Sequence, residues 1–279
     1  MIEGVDYSVG RPDPACLVAN GKHFACRYVS SPGGIDKDLS PDEARRLTAA
    51  GVAICTNFED WEEKPLKGFD VGAADATLAW EHAAVCGMPV GRPIYFSVDF
   101  DASSTQLAGP ITEYFRGCAS VLGVERVGGY GGLRTIRFLF DNNLIRWGWQ
   151  TYAWSGGVWD SRAQVQQYKN ATTVCGVSLD LDRAVVDDYG QWFAFKEDDL
   201  ASADEILAAV AALDSEVASL ADRVAKFEGK FDTFRQNERQ RDAQEMERIA
   251  GLGDQREMAR ALRAMANSIG PKPKPPASG

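Results

Sequence analysis

Two observations predict the fold class. Short apolar, β-rich runs alternate with helix-like stretches over residues 1–195, and a heptad spacing of apolar residues follows them. Together they predict an α/β protein: a small irregular (β/α)8 TIM barrel followed by a C-terminal α-helical coiled coil.

The eight runs are GVDYS, HFACRYVS, GVAICTNFE, RPIYFSVDF, RVGGYGG, GWQTYAW, AQVQQYK and GVSLDLDRAVV. Apolar strands separated by helices are expected to run parallel beneath a helical cover. Between them SPDEARRLTAAG places Ser40 as an N-cap, with Glu43 three residues later. GAADATLAWEHAAVCG and TQLAGPITEYFRGCASVLG follow, each closed by a glycine. The last third of the segment lacks further helix patterns. An open doubly wound sheet fits less well, because the first run leads into DYSVGRPD rather than a GxGxxG phosphate loop.

After QWFAFKEDD the apolar residues fall at Ile206, Val210, Leu213, Val217, Leu220, Val224, Phe227, Phe231 and Phe234. Spacings of four and three, repeated, predict a homo-oligomeric coiled coil through Ile206 to Phe234. Valine at one seam position and leucine at the other favour a dimer, and the bulky phenylalanines leave a trimer open. A single amphipathic helix folded back on the barrel is the alternative. The expected domains are therefore a barrel at 1–195, a coiled-coil helix at 199–236, a helical segment at 237–270 and a disordered Pro/Lys tail at 271–279.

A formal net charge of −10 and a pI near 4.8 argue against a nucleic-acid partner. Neither a signal peptide nor a membrane span is visible. The six cysteines are scattered and there are only two histidines, His23 and His82, so no structural metal or cofactor is expected. Cys26, Cys55, Cys86 and Cys175 lie in apolar surroundings that read as buried thiols.

In a parallel barrel, function sits at the C-terminal ends of the strands. Those ends carry Asp6, Glu59, Asp99, Asp101, Gln150, Gln167, Asp180 and Asp182. Asp99 and Asp101 are two residues apart, so on a continuing strand they would share a face. Close carboxylates repel, which raises one pKa while the other stays ionised. Hydrolysis of a glycosidic bond needs that division between a protonated acid and an ionised carboxylate. Aromatics suited to sugar rings accompany them: Tyr95, Tyr130, Tyr152 and Trp154. Each set also has a plainer reading, as solvated loop acids and core aromatics.

GVDYS, VDFD, YGG and QQYKN…VCGVSLDLD resemble the family 25 glycoside hydrolases, muramidases built on an irregular TIM barrel. The ordered set GVDYS, FACRYVS, LSPDEARRLTAAG, RPIYFSVDFDA, GGYGG, WQTYAWSGG, QYKN and LDLD resembles the glycoside-hydrolase-like domain of actinobacterial and actinophage proteins. The resemblance spans residues 1–192. It implies catalytic roles for Asp6, Asp99, Asp101 and Asp180, with Asp99 orienting and Asp101 at the position of the general acid, where the muramidases carry Glu. The strand ends and mouth aromatics themselves supply the expected substrate contacts: Glu59, Tyr95, Tyr130, Gln150, Tyr152, Trp154, Gln167 and Asp182.

The expected function is a peptidoglycan-directed, muramidase-like hydrolase of phage or actinobacterial origin, displayed on an oligomerising stalk. The alternative is an inactive wall-glycan-binding or structural virion protein, in the tail or baseplate, using the same barrel. Its partners would be peptidoglycan or another wall glycan, further copies of itself, and virion tail proteins. Its expected location is a virion, or the host cytoplasm with holin-type release as an endolysin, acting at the wall.

Overall fold

The computed structural model describes residues 1–32, 37–194, 203–251 and 254–268. The chain divides into two compact units, residues 1–200 and 201–279. The tail expected at 271–279 lies outside the described residues.

The first unit is a closed eight-stranded barrel in sequential order. Its strands are β1 (Ile2–Asp6), β2 (Phe24–Val29), β3 (Ala53–Phe58), β4 (Ile94–Ser97), β5 (Val127–Gly131), β6 (Trp147–Thr151), β7 (Val165–Val174) and β8 (Val177–Ala184). All eight expected runs form strands. Strands β1 to β7 pair in parallel, whereas β8 runs antiparallel to both β7 and β1, which corrects the all-parallel expectation. The cause is the link between β7 and β8. Cys175 and Gly176 form a two-residue turn with φ of 54° and 76°, and such a hairpin joins only antiparallel neighbours.

Helices α1 (Pro14–Ala19), α2 (Pro41–Ala49) and α3 (Phe69–Val85) cover the first strands. The Ser40 hydroxyl accepts from the Glu43 amide at 3.2 Å, as the capping pattern predicts. The stretch expected as one helix at TQLAGPITEYF is broken instead. A single turn, α4 (Ser104–Gln106), and a wide turn at Leu107–Ile111 precede α5 (Thr112–Leu122). Pro110 lacks an N–H and crowds the preceding turn, and Gly109 takes the bend at φ −108°, ψ −106°. Helix α6 (Leu133–Asp141), which sequence patterning missed, fills the step from β5 to β6.

Aromatic and small side chains fill the interior: Phe24, Cys26, Cys55, Tyr95, Tyr130, Trp149 and Tyr189. Gly128 makes the room, since a Cβ there would lie 2.6 Å from the Tyr95 ring. A second apolar layer, including Val5, Ile54, Phe96, Phe115 and Leu139, joins the strands to the helices.

Cys175 is not a buried thiol. It forms a disulfide with Cys16, with the Cα atoms 5.9 Å apart, tying α1 to the β7–β8 turn. Cys26, Cys55, Cys86 and Cys118 are free and buried.

In the second unit, α7 (Ala203–Ala250) is one 48-residue helix followed by α8 (Gln255–Ser268). It runs past residue 236 without interruption. On the expected seam, Val217, Leu220, Val224, Phe227, Phe231 and Phe234 are all exposed. The side chains of Ile206, Val210 and Leu213 lie outside the described residues. No helix among the described residues is long and apolar enough to cross a membrane.

Candidate active site at the barrel mouth

Strand register brings the first and last strands' acids together. Asp6 stands opposite Asp180 across the β1–β8 ladder, and Asp182 lies one pleat deeper, opposite Gly4. Asp6 is 3% exposed and accepts from the Tyr28 hydroxyl at 2.7 Å and from Gln167 Nε2 at 2.8 Å. Burial and the neighbouring Asp180 charge push its carboxyl up to about 6. Half-buried Asp180 accepts from the Ala171 amide at 2.7 Å and from Gln167 Nε2 at 3.3 Å. Burial raises its pKa as well.

Asp182 is wholly buried and accepts from Trp149 Nε1 at 2.8 Å through Oδ1, while Oδ2 has no donor. Enclosure and the Asp6 charge raise its pKa well above the carboxylate range. A neutral Asp182 resolves the missing partner, because its proton makes the second oxygen a donor toward Asp6. The group expected to touch substrate is therefore sealed beneath the mouth.

Across the opening, β4 ends at Ser97, so Asp99 and Asp101 lie beyond the strand and do not share a face. Asp99 lines an open cleft of about 610 Å³ with Ser8, Lys37, Glu59, Trp61 and Glu62. Burial, then the charges of Glu59 and Glu62, push its carboxyl up to about 6, against the Tyr130 hydroxyl and Lys37. Asp101 turns away to Arg134, 3.3 Å from its guanidinium, with half its side chain exposed. That separation corrects the expectation of a side-by-side pair. Its physical origin is the bend at Phe100, which ends the two-residue periodicity.

A hydrogen-bonded chain joins the two sides of the mouth. The Tyr130 hydroxyl, which also faces Asp99, donates to Gln167 Oε1 at 2.9 Å. Gln167 Nε2 in turn reaches Asp6 and Asp180. Lys37, mostly buried, holds Glu59 at 3.0 Å. Arg27, Arg92 and Arg183 spend their guanidinium groups elsewhere, on Glu43, Asp188 and Gln166, so none neutralises Asp99.

Besides Asp182, two more of the expected substrate contacts are structural. Tyr95 is fully buried and donates to the Tyr189 carbonyl at 2.7 Å inside the barrel. Gln150 is fully buried and braces the loop after β6 through Ser155 Oγ, the Val158 carbonyl and the Asp160 amide. Tyr152 and Trp154 are 44% and 46% exposed on that loop. Sequence reasoning missed Tyr28, Lys37 and Trp61. The signal for Trp61 was an aromatic inside an acidic post-strand loop, EDWEE, and it is 54% exposed. Among the described residues no cluster of three or more His, Cys, Asp or Glu is arranged to hold a metal.

A closed barrel with carboxyl groups of raised pKa on two sides of its mouth is the arrangement expected of a glycoside-hydrolase-like domain. The chain belongs to the Rv2525c-like, glycoside hydrolase-like domain family, whose model matches residues 15–186. The Mycobacterium tuberculosis protein Rv2525c, whose name proposes a peptidoglycan hydrolase, is 30% identical over 203 residues, 67% of this chain and 82% of that protein. The crystal structure of that Tat-secreted protein with L-tartrate superposes with a TM-score of 0.65 at 30% identity, covering 68% of this chain and 98% of the other. An uncharacterized protein of B. stearothermophilus shares the fold at 19% identity and a TM-score of 0.51, over 66% and 96% of the two chains.

Proposed function

We propose that the barrel is a peptidoglycan-directed glycoside hydrolase in which Asp99, rather than Asp101, is the proton-donating acid. One observation carries this reading: Asp99 combines a carboxyl pushed up to about 6 with a place in the open cleft. An acid that retains its proton near neutrality can protonate a leaving glycosidic oxygen. Asp180, with Asp6 behind it, supplies the opposing negative charge for the sugar cation. The Tyr28, Gln167 and Tyr130 hydrogen bonds hold these groups in place. Glu59 and Trp61 are the sugar contacts flanking Asp99. The name of the mycobacterial relative supports peptidoglycan as the substrate.

The test is release of reducing ends from purified peptidoglycan by wild type, Asp99→Asn and Asp101→Asn. We expect Asp99→Asn to lose activity by about a hundredfold or more and Asp101→Asn to lose far less. A larger loss in Asp101→Asn than in Asp99→Asn would return the acid role to Asp101, and equal losses would overturn the assignment to Asp99 alone.

The binding-only reading has one observation in its favour, the pairing of Asp101 with Arg134. A barrel that sediments with the wall but releases no sugar in any variant supports it. The remaining parts of the proposal are phage or actinobacterial origin, display at the wall or in a virion tail, and assembly of α7 into a dimer or trimer. The row of exposed valine, leucine and phenylalanine on α7 supports assembly. Sedimentation equilibrium of the full chain tests it, and a monomer overturns it. The Cys16–Cys175 disulfide supports action outside the reducing cytosol.

A further inference from the structure

Trp154 has φ of 53°, a conformation that a bulky side chain adopts only when its surroundings enforce it. Here the turn is braced from beneath. Buried Ser155 Oγ donates to the Thr151 carbonyl at 2.6 Å and accepts from Gln150 Nε2 and the Leu133 amide, each at 3.0 Å. Gly132 leaves the space that Trp154 occupies: a Cβ there would sit 3.2 Å from Trp154 Cβ. This bracing keeps the indole 46% exposed instead of burying it in the core.

The indole forms one wall of a groove of about 460 Å³ whose other wall is α6, with Arg134, Arg137 and Phe138. Arg134 and Arg137 are three residues apart, so they share a helix face. Their side chains are 54% and 53% exposed: Arg134 donates through Nη1 to the Ala102 carbonyl at 3.1 Å and lies 3.3 Å from Asp101, which leaves its remaining N–H groups to the groove, and Arg137 lies 3.7 Å from Asp160. Asp160 is already held by Arg162 at 2.8 Å, and Arg162 also pairs with Asp141, the acid in the groove. The groove therefore presents two half-exposed guanidinium groups beside an aromatic face, in a protein of net charge −10. Elsewhere at the mouth, the Asp99 cleft presents Glu59, Glu62 and Glu63 with Lys37.

We propose that this groove is a subsite for a carboxylate-bearing sugar: Trp154 stacks on the ring, and Arg134 and Arg137 bind the carboxylate. A planar guanidinium suits a carboxylate through paired N–H donors, and an indole offers its face to a pyranose. The proposal rests on the glycan-directed reading of the barrel but not on turnover. The charge asymmetry of the mouth would then fix the direction in which an acidic glycan lies.

The test titrates the full-length chain, labelled with 15N at tryptophan, with two disaccharides. One is N,N′-diacetylchitobiose; the other is N-acetylglucosaminyl-N-acetylmuramic acid, which adds a lactyl carboxylate to the same backbone. The Trp154 indole signal, assigned with Trp154→Phe, is the readout. We expect the acidic disaccharide to bind about tenfold more tightly, equivalent to about 1.4 kcal/mol. Arg134→Gln and Arg137→Gln, both surface changes, should bring the two affinities toward parity with unchanged melting temperature. Equal affinities in the wild type, or a Trp154 signal unmoved by either sugar at saturation, would overturn the proposal. A chain that cleaves nothing yet keeps the preference leaves the subsite standing, whereas parity in an active enzyme removes the subsite alone.

Discussion

Replacing Asp182 with asparagine tests the protonation of the buried pair. Asp182 is fully enclosed, accepts from Trp149 Nε1 through one oxygen and faces Asp6 with the other. Asparagine reproduces both roles of a neutral acid: its oxygen accepts from Trp149 and its amide donates toward Asp6. The sign follows from linkage. Asp182 has a folded pKa far above its unfolded one, so above about pH 4 the folded state holds a proton that the unfolded state has lost. Each rise of one pH unit then removes about 1.4 kcal/mol of stability until the folded pKa is reached. Asp182→Asn abolishes that contribution. Above the range in which Asp6 titrates, at about 6, the variant should gain on wild type with each rise in pH until the folded pKa of Asp182 is reached. Urea unfolding read by tryptophan fluorescence measures this, and all seven tryptophans lie in the barrel unit. Parallel pH slopes for the two proteins would refute a neutral Asp182. Asp182→Leu is the contrasting control: it also lacks the titrating group but strands the Trp149 N–H, so it should be less stable than Asp182→Asn by about 1–3 kcal/mol at every pH.

Three further outcomes are expected. If Asp99 is the acid, activity should fall about tenfold per pH unit above its value of about 6, because the deprotonated form has no proton to donate; a rate flat to pH 8 would exclude the role. Reducing the Cys16–Cys175 bridge, or changing both cysteines to serine, should lower barrel stability by about 2–5 kcal/mol in urea titrations, since it closes a loop of 159 residues; an unchanged midpoint would make the bridge incidental. Gly72→Ala should destabilise by about 1–3 kcal/mol in thermal melts, because its Cβ would stand 2.0 Å from the Tyr114 carbonyl oxygen where α3 meets α5; a melt matching wild type would mean that the helices separate freely.

The barrel was legible because its strands are continuous apolar runs, and a run of Val, Ile, Phe and Tyr excludes most other local structures. The Ser40 cap was legible for the same reason: hydroxyl and amide are three residues apart, and no distant residue intervenes. The acids Asp6 and Asp99 could be named because residues at or just beyond the C-terminal end of a parallel strand lie at the barrel mouth; Asp180 was named by the same rule, but it reaches the mouth from the middle of a reversed strand, opposite Asp6. The antiparallel last strand was harder to read, although its two-residue turn lies in the sequence, because the positive φ at Cys175 is held by a fold that no local preference reveals.

Local sequence thus determined the strands and several helices, since each depends on chemistry within a few residues. Tertiary structure alone decided which carboxyls are buried, which oxygen lacks a donor, and that Asp101 turns to Arg134 while Asp99 enters the cleft. It also paired Cys16 with Cys175 across 159 residues. The physical reason is that charge state depends on enclosure and on neighbours brought from distant strands, and neither distance nor burial is encoded in spacing along the chain.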